Sequence, residues 1–582
     1  MSVKREECRE QVIFGIDIGT TFSGVAMSWR QITGEIRQPA VLERLTGQVP
    51  GRAKVPSVLL YNRKGVCEKW GTQTEDLSKP DRTRLRDGDL IRCEWFKPHI
   101  DPDNQVQHEA LSDPARQLPL GKTAYDVWGD YLECLIKAAK DDARNVLVMT
   151  TTCMDELSRN GQMIYVIGVP VAWCTPTIQA QLRHQALRIG LISKRTESCL
   201  RFCSEPEAAA LHSFDRTRHL AKQGDVFSVI DAGGGTVDFT SYEVTRSIPL
   251  EIKEYGTTQS KRCLFHGSTF VDTSFRAVFK EKLEQEYPAQ ISSVHIDQGV
   301  AKFIEAKRWF SPTSDVAFWQ ISQDTTEFDC GGVEVPPSWI EEAFRPHVKA
   351  IINVASRIAA ADKPKYVFLT GGFGDNAFLK NRLELGAGKT VQVIQPECSA
   401  SSSGSRAVSL GACLYIIQNP VASRISNDWI GIAYHREAQP WEILDHPDLV
   451  YDHLDGTKHL EAFLPIKAKA QIVEEDDFFS HRCNYEYKSR PLKKESRTIK
   501  LFRSSQDKAP LYSGDTDLEL IGTVRLEVNP KMPSEVVEIR AGVRRYKYHF
   551  EVRLYIFDTE IKAQVYSDDG KILGQASFLD LA

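Results

Sequence analysis

The sequence predicts an α/β protein followed by an all-β part, and three observations carry that expectation. Up to about residue 418, short β-branched runs alternate with longer stretches of helical spacing. Beyond about residue 425 the helical signal fades into alternating, aromatic-rich runs. A length of 582 residues also exceeds one ordinary core, so several domain-sized units are expected.

In the first region the apolar runs QVIFGIDIG, IYVIGVP, VFSVIDAGGG and KYVFLTGG each end in Gly or Pro, as strands buried on both faces do. Between them, YDVWGDYLECLIKAAKDDARNVL and GVAKFIEAKRWF carry apolar residues at helical intervals with charges between. In the second region, LELIGTVRLEV, YHFEVRLYIFD and IKAQVYSDDGKILGQASF read as strands broken at NPKMP and SDDGK, the last a hairpin with a Gly-containing turn. Residues 429–582 are therefore expected to form a β-sandwich. Ser401 to Ser405 read as a short flexible loop.

Composition narrows the function classes. Lys and Arg number 73 against 78 Asp and Glu, a net charge of −5, which argues against a basic surface built for nucleic acid. The opening MSVKREECRE is charged and the apolar run after it is about six residues, too short for a secretion signal or a membrane span. No membrane partner is expected, and the cytoplasm, with the nucleus as an alternative, is the expected compartment. The 13 cysteines are scattered without a CxxC pair, which favours free thiols over zinc or disulfides.

The chemistry lies in two copies of one plan. FGIDIGTTFSGVAM and FSVIDAGGGTVDFTSYEV are each an apolar strand, an aspartate, a glycine, hydroxyl residues and a second apolar strand. Asp17 corresponds to Asp231, Gly19 to Gly233, and Thr20 and Thr21 to Gly235 and Thr236. Glycine in such a turn admits close backbone approach, so that N–H groups surround a phosphate, and threonine hydroxyls add donors. Two aspartates facing one another repel unless a cation lies between them, and hydrated Mg²⁺ suits carboxylates that bind through water. A later strand ends at Thr370 and meets Gly371 and Gly372, with a helix starting near Asp375 or Asn376. Paired glycines leave room for a flat ring, and a helix N-terminus beyond them is electropositive. The spacing is not GxGxxG, which sets a dinucleotide oxidoreductase aside.

These three motifs, in this order, resemble the phosphate-one, phosphate-two and adenosine motifs of the actin-like ATPase superfamily. GIDIGTTFSGVAM, VIGVPVAWC, SEPEAAALH, EAKRWFS and AVSLGACLYI are similar to successive segments of its seventy-kilodalton heat-shock (DnaK-like) branch, in particular the diverged family A member twelve group. The resemblance implies a two-lobed, duplicated ribonuclease-H-like ATPase domain over 1–418. Lobe I would cover about 1–205 plus a helix near 404–418, and lobe II about 206–400. A linker at 419–428 and a substrate-binding-like β-sandwich would follow, without the helical lid.

The resemblance also implies roles and ligands: ATP or ADP with Mg²⁺, and extended or unfolded peptide as a partner of the β part. Asp17 and Asp231 would orient Mg²⁺ through water, while Thr20, Thr21, Gly233, Gly234, Gly235 and Thr236 hold the phosphates with Gly19. Glu205 would sit near the metal and attacking water, and Asp238 would close the second hairpin. Gly267, Lys307, Arg308 and Ser311 would contact the nucleotide, with Gly371 and Gly372 behind the base. Lys97, in CEWFKPHID, matches the family's catalytic lysine in altered surroundings. Thr269 and Val271 stand where acids are expected, Glu305 is displaced by one residue, and the connector NPVASRISNDWIGIAY lacks the usual leucine-rich linker. The expected activity is weak ATP hydrolysis by a chaperone of apolar segments. A nucleotide-sensing scaffold with little turnover is the alternative, and a small-molecule kinase the least favoured.

Overall fold

The computed structural model describes residues 10–576 apart from 46–53, 101–117, 120, 218–219, 221, 248–249, 257–260, 288–290, 325–327, 388–390, 397–405, 419–420, 426–427, 454–455, 470, 475–477, 488, 540–542 and 557–560. The loop expected at Ser401 to Ser405 lies outside the described residues. The chain forms two compact units, one of residues 1–173 and 185–420, the other of 174–184 and 421–582.

In the first unit the chain builds the same sheet plan twice. Gln11–Ile18 and Phe22–Arg30 pair as an antiparallel hairpin, and Met163–Val169 then Leu200–Ser204 add in parallel on the other side of Gln11–Ile18. Likewise Val226–Ala232 and Val237–Arg246 form a hairpin, and Tyr366–Thr370 then Gln392–Ile394 add in parallel beside Val226–Ala232. The central strands are buried on both faces, which explains their unbroken apolar sequence. Each plan places an aspartate one residue before the end of the first strand of its hairpin, so the topology sets Asp17 and Asp231 at equivalent positions.

Helices carry the rest of the core. Phe275 and Phe279 on Ser268–Glu286, Phe303 on Ser293–Ala306 and Phe344 on Pro337–Asp362 belong to one apolar cluster, and the Phe275 and Phe303 rings stack 4.0 Å apart. Helix Ala407–Gln418 packs Ala412 and Cys413 into a cluster with Ile13, Val166 and Ala208. Two glycines make this approach close: a Cβ on Gly15 would lie 2.1 Å from the Ser409 carbonyl oxygen, and one on Gly411 would lie 1.7 Å from that of Ala208. Gly411→Ala is accordingly expected to lower stability by about 1–3 kcal/mol through forced separation of two helices, measurable by urea unfolding.

The second unit is antiparallel. One five-stranded sheet runs Val450–Asp452, Lys458–Lys467, Trp429–Glu437, Glu495–Ser504, Glu519–Val528. A second contains Phe478–Tyr487, Val543–Ile556, Ile561–Ser567 and Ile572–Ala576, with Glu535–Ile539 paired to Val543–Ile556. Ile432, Leu501 and Val524 of the first share one core with Phe550, Val552 and Val565 of the second. The expected final hairpin is present, with Gly570 at φ 78° in its turn. Within the stretch expected as a linker, Val421–Ile425 is a strand paired with Ile472–Glu474. Among the described residues no helix is long and apolar enough to cross a membrane.

Candidate functional site

The two hairpin turns meet. A Cβ on Gly235 would stand 2.4 Å from the Thr20 hydroxyl, and one on Gly234 2.7 Å from that of Thr21, so a side chain at either glycine would displace these threonines. The second turn is held from behind by helix Ser268–Glu286. The N–H groups of Gly267, Ser268 and Thr269 donate to the carbonyls of Gly235, Gly233 and Gly234 at 3.0, 3.1 and 2.9 Å, and the Thr269 hydroxyl donates to Gly234 O at 2.8 Å. Thr269, standing where an acid was expected, thus secures the turn.

Around these turns lies a buried charged cluster. Asp17, Glu205, Asp231 and Asp238 are each at most 6% exposed. Lys97 is as buried and pairs with Glu205 at 2.5 Å, which brings it into this cluster. Lys54 pairs with Asp17 at 2.7 Å. Four carboxylates therefore face two ammonium groups.

The electrostatic consequences are specific. Burial, with the carboxylates of Asp238 and Asp17, pushes Asp231 up to about 7. Burial pushes Glu205 up to about 8 against the pull of Lys97, with Asp238, Asp17 and Asp231 adding to the rise. For Lys97, burial works downward, but Glu205 and Asp17 outweigh it and hold the ammonium above its usual range. Burial also raises Asp238, whose Oδ1 accepts from Val171 N at 3.2 Å while its buried Oδ2 lacks a hydrogen-bond partner. Cys263, level with Asp238 across the sheet, has its thiol pushed well up by burial and by that carboxylate.

Fully ionised, the four carboxylates would exceed the two ammonium groups by two charges, and that, with a buried Asp238 oxygen that lacks a partner, suits a divalent cation. Among the described residues no three His, Cys, Asp or Glu side chains could together hold an ion directly. An ion here would bind through its water shell and a ligand's oxygens, the mode that suits Mg²⁺. The charge and chemistry of these residues are compatible with a hydrated Mg²⁺.

The third motif joins the second hairpin. Thr370 donates from its hydroxyl to Asp231 Oδ1 at 3.2 Å, and Gly371 turns at φ 82°. A Cβ there would lie 2.2 Å from Ala232 O, which makes glycine necessary. Asn376 caps the helix after it, its Oδ1 accepting from Leu379 N at 3.0 Å, and its Nδ2 donates to Lys307 O at 2.7 Å. The structure so links Lys307 to the Gly371–Gly372 segment. The Lys307 ammonium is engaged by Asp272 at 2.5 Å and by Ser268 O at 3.0 Å, an arrangement in which Asp272 takes up the lysine that a nucleotide was expected to meet. Arg308 is exposed and lies over the Trp309 ring at 5.2 Å, and Ser311 bonds Thr313 at 2.9 Å. For neither does the geometry add a contact to the hairpins.

Sequence reasoning missed Lys54 and Cys263, and named Asn376 only as a possible helix start. Asn376 had a signal, a polar cap before a helix, whereas Lys54 and Cys263 reach the site only through strand pairing.

The chain is 23% identical over 481 residues to human heat shock 70 kDa protein 12B, covering 66% of each. It is 20% identical over 470 residues to the mouse 12A protein and 21% over 474 to the human 12A protein, covering 66% of this chain and 67% of each. The chain thus spans about two thirds of the length of the curated relatives it matches. No family model matches. The mixed α/β architecture fits an actin-like ATPase, and the sequence similarities are to the heat-shock-70-like proteins 12A and 12B.

Proposed function

We propose that the chain binds ATP or ADP with Mg²⁺ between its two hairpin turns and hydrolyses ATP slowly. The observation that carries this reading is the buried cluster of four carboxylates and two lysines beside two glycine turns in mutual contact. Mg²⁺ would supply charge neutralisation at the phosphates. Gly233 to Thr236, Thr20 and Thr21 would cradle them, Glu205 would orient the attacking water, and Lys97 would meet the charge that develops on the terminal phosphate. The Lys97–Glu205 ion pair must open before either group does this, which favours slow turnover and lends weight to a second reading, a nucleotide sensor that scarcely hydrolyses.

The second unit, with two five-stranded sheets over one core, is read as a β-sandwich that takes an extended apolar segment by strand-like hydrogen bonding. Together the parts amount to a chaperone-type ATPase of the cytoplasm. Single-turnover hydrolysis of radiolabelled ATP, with Mg²⁺ or excess chelator, tests the first part. Retention of nucleotide with Mg²⁺-dependent product, faster with an unfolded peptide, is expected. Retention without product establishes the sensor, and no retention refutes the site.

A further inference from the structure

No motif points to Lys54, which stands in GRAKVPS without helical or strand spacing. Sheet pairing delivers it. Val55–Pro56 runs antiparallel to Phe22–Arg30 with Val55 opposite Ser23, and one step further along that register sets Lys54 level with Gly24. Gly24 is in turn opposite Asp17. Residues in one row across a sheet share a face, and the middle residue of this row has no side chain, so the lysine can cross it.

The Nζ of Lys54 reaches Asp17 Oδ2 at 2.7 Å, with the two side chains 19% and 7% exposed. The segment is fixed to the first turn: Ser57 N donates to Thr21 O at 2.8 Å, the Ser57 hydroxyl to Gly19 O at 2.7 Å, and the Tyr131 hydroxyl to Pro56 O at 3.0 Å. The same ammonium acts on Asp231, so it lies in the field of both strand-end aspartates.

We infer that Lys54 is a built-in cation of this site, which competes with a divalent ion for Asp17 and supplies positive charge to an incoming polyphosphate. The second half rests on the nucleotide reading above; the first concerns only the carboxylate and the metal. An ammonium in contact with a carboxylate lowers that carboxylate's affinity for another cation and offsets part of the repulsion among four acids. Nucleotide binding by this chain is then less dependent on a divalent ion than the two aspartates alone would make it.

The test begins without nucleotide. The full chain, Lys54→Gln and Lys54→Met are titrated with Mn²⁺, and the free ion is read by electron paramagnetic resonance. Removing one adjacent positive charge is expected to tighten Mn²⁺ binding on the order of tenfold or more, while Lys54→Arg tracks the parent. Equal Mn²⁺ affinity in the parent and a folded neutral variant overturns the inference, as does an arginine variant that behaves like the neutral ones. A fluorescent ATP analogue is then bound in Mg²⁺ and in chelator. The neutral variants are expected to lose about tenfold more affinity on chelation than the parent does, and equal losses overturn the polyphosphate half. A parent that binds no analogue, yet shows the Mn²⁺ difference, refutes the nucleotide reading and leaves Lys54 as the site's cation.

Discussion

Replacing Asp231 by asparagine is expected to stabilise the ligand-free chain while abolishing its response to Mg²⁺ and nucleotide. The carboxyl is held at about 7 against an ordinary 3.8, because burial and the Asp238 and Asp17 carboxylates oppose its ionisation. The sign follows from proton linkage. Between those two values the folded chain holds a proton that the unfolded chain has released, so this group's contribution to stability falls as pH rises through that window. Above pH 7 the cost is on the order of 4 kcal/mol, and asparagine removes it while it can still accept from the Thr370 hydroxyl. The melting temperature at pH 8 should rise by several degrees, its decline between pH 5 and pH 8 should flatten, and the upward shift that Mg²⁺–ATP gives the parent should vanish. A variant with the parent's pH profile and the parent's nucleotide shift would show that Asp231 is neither strained nor at the ligand.

Cutting the buried ion pair at Lys97 should have an effect of similar size and opposite sign. Lys97→Met leaves Glu205 among Asp17, Asp231 and Asp238 without its partner, a loss of about 3–5 kcal/mol when the carboxyl is ionised. Glu205 already sits at about 8 against an ordinary 4.5, and loss of the lysine lifts it further. Near pH 6 the carboxyl is protonated in the folded state with or without the lysine and little cost is felt, whereas above pH 8 the parent ionises and the variant does not, so the difference grows by about 1.4 kcal/mol per pH unit. Urea unfolding at pH 6 and pH 9 should therefore separate the variant from the parent far more at the higher one. The double change Lys97→Met with Glu205→Gln should recover much of the loss, since it removes the orphaned charge. A cost that is equal at both pH values, or no recovery in the double variant, would contradict the coupling.

Much of this arrangement is legible in the sequence because it is local. The aspartate and glycines of each hairpin lie within a few residues of one another, and the repeat of the plan at Asp17 and Asp231 gives away a pair that neither copy would reveal alone. Gly371 is readable for the same reason, as the first of a glycine pair at a strand end, while its positive φ emerges only in the structure. Lys97 was legible as a residue but not as a partner, since 108 positions separate it from Glu205. Lys54 was invisible because its place depends on a two-residue strand and on a glycine in the neighbouring strand. Asp272 illustrates a further limit: its ion pair with Lys307 joins residues 35 positions apart, which no spacing rule anticipates.

Helix Ala407–Gln418 has a consequence for the order in which this molecule is made. It touches the strand that ends in Asp17 and the helix that begins at Glu205, yet it is among the last parts of its unit to leave the ribosome. A nascent chain therefore carries all four acidic groups and both lysines before it carries the element that clamps two of their supports together. Until roughly four hundred residues have emerged, the strand carrying Asp17 and the helix beginning at Glu205 lack the contact that joins them.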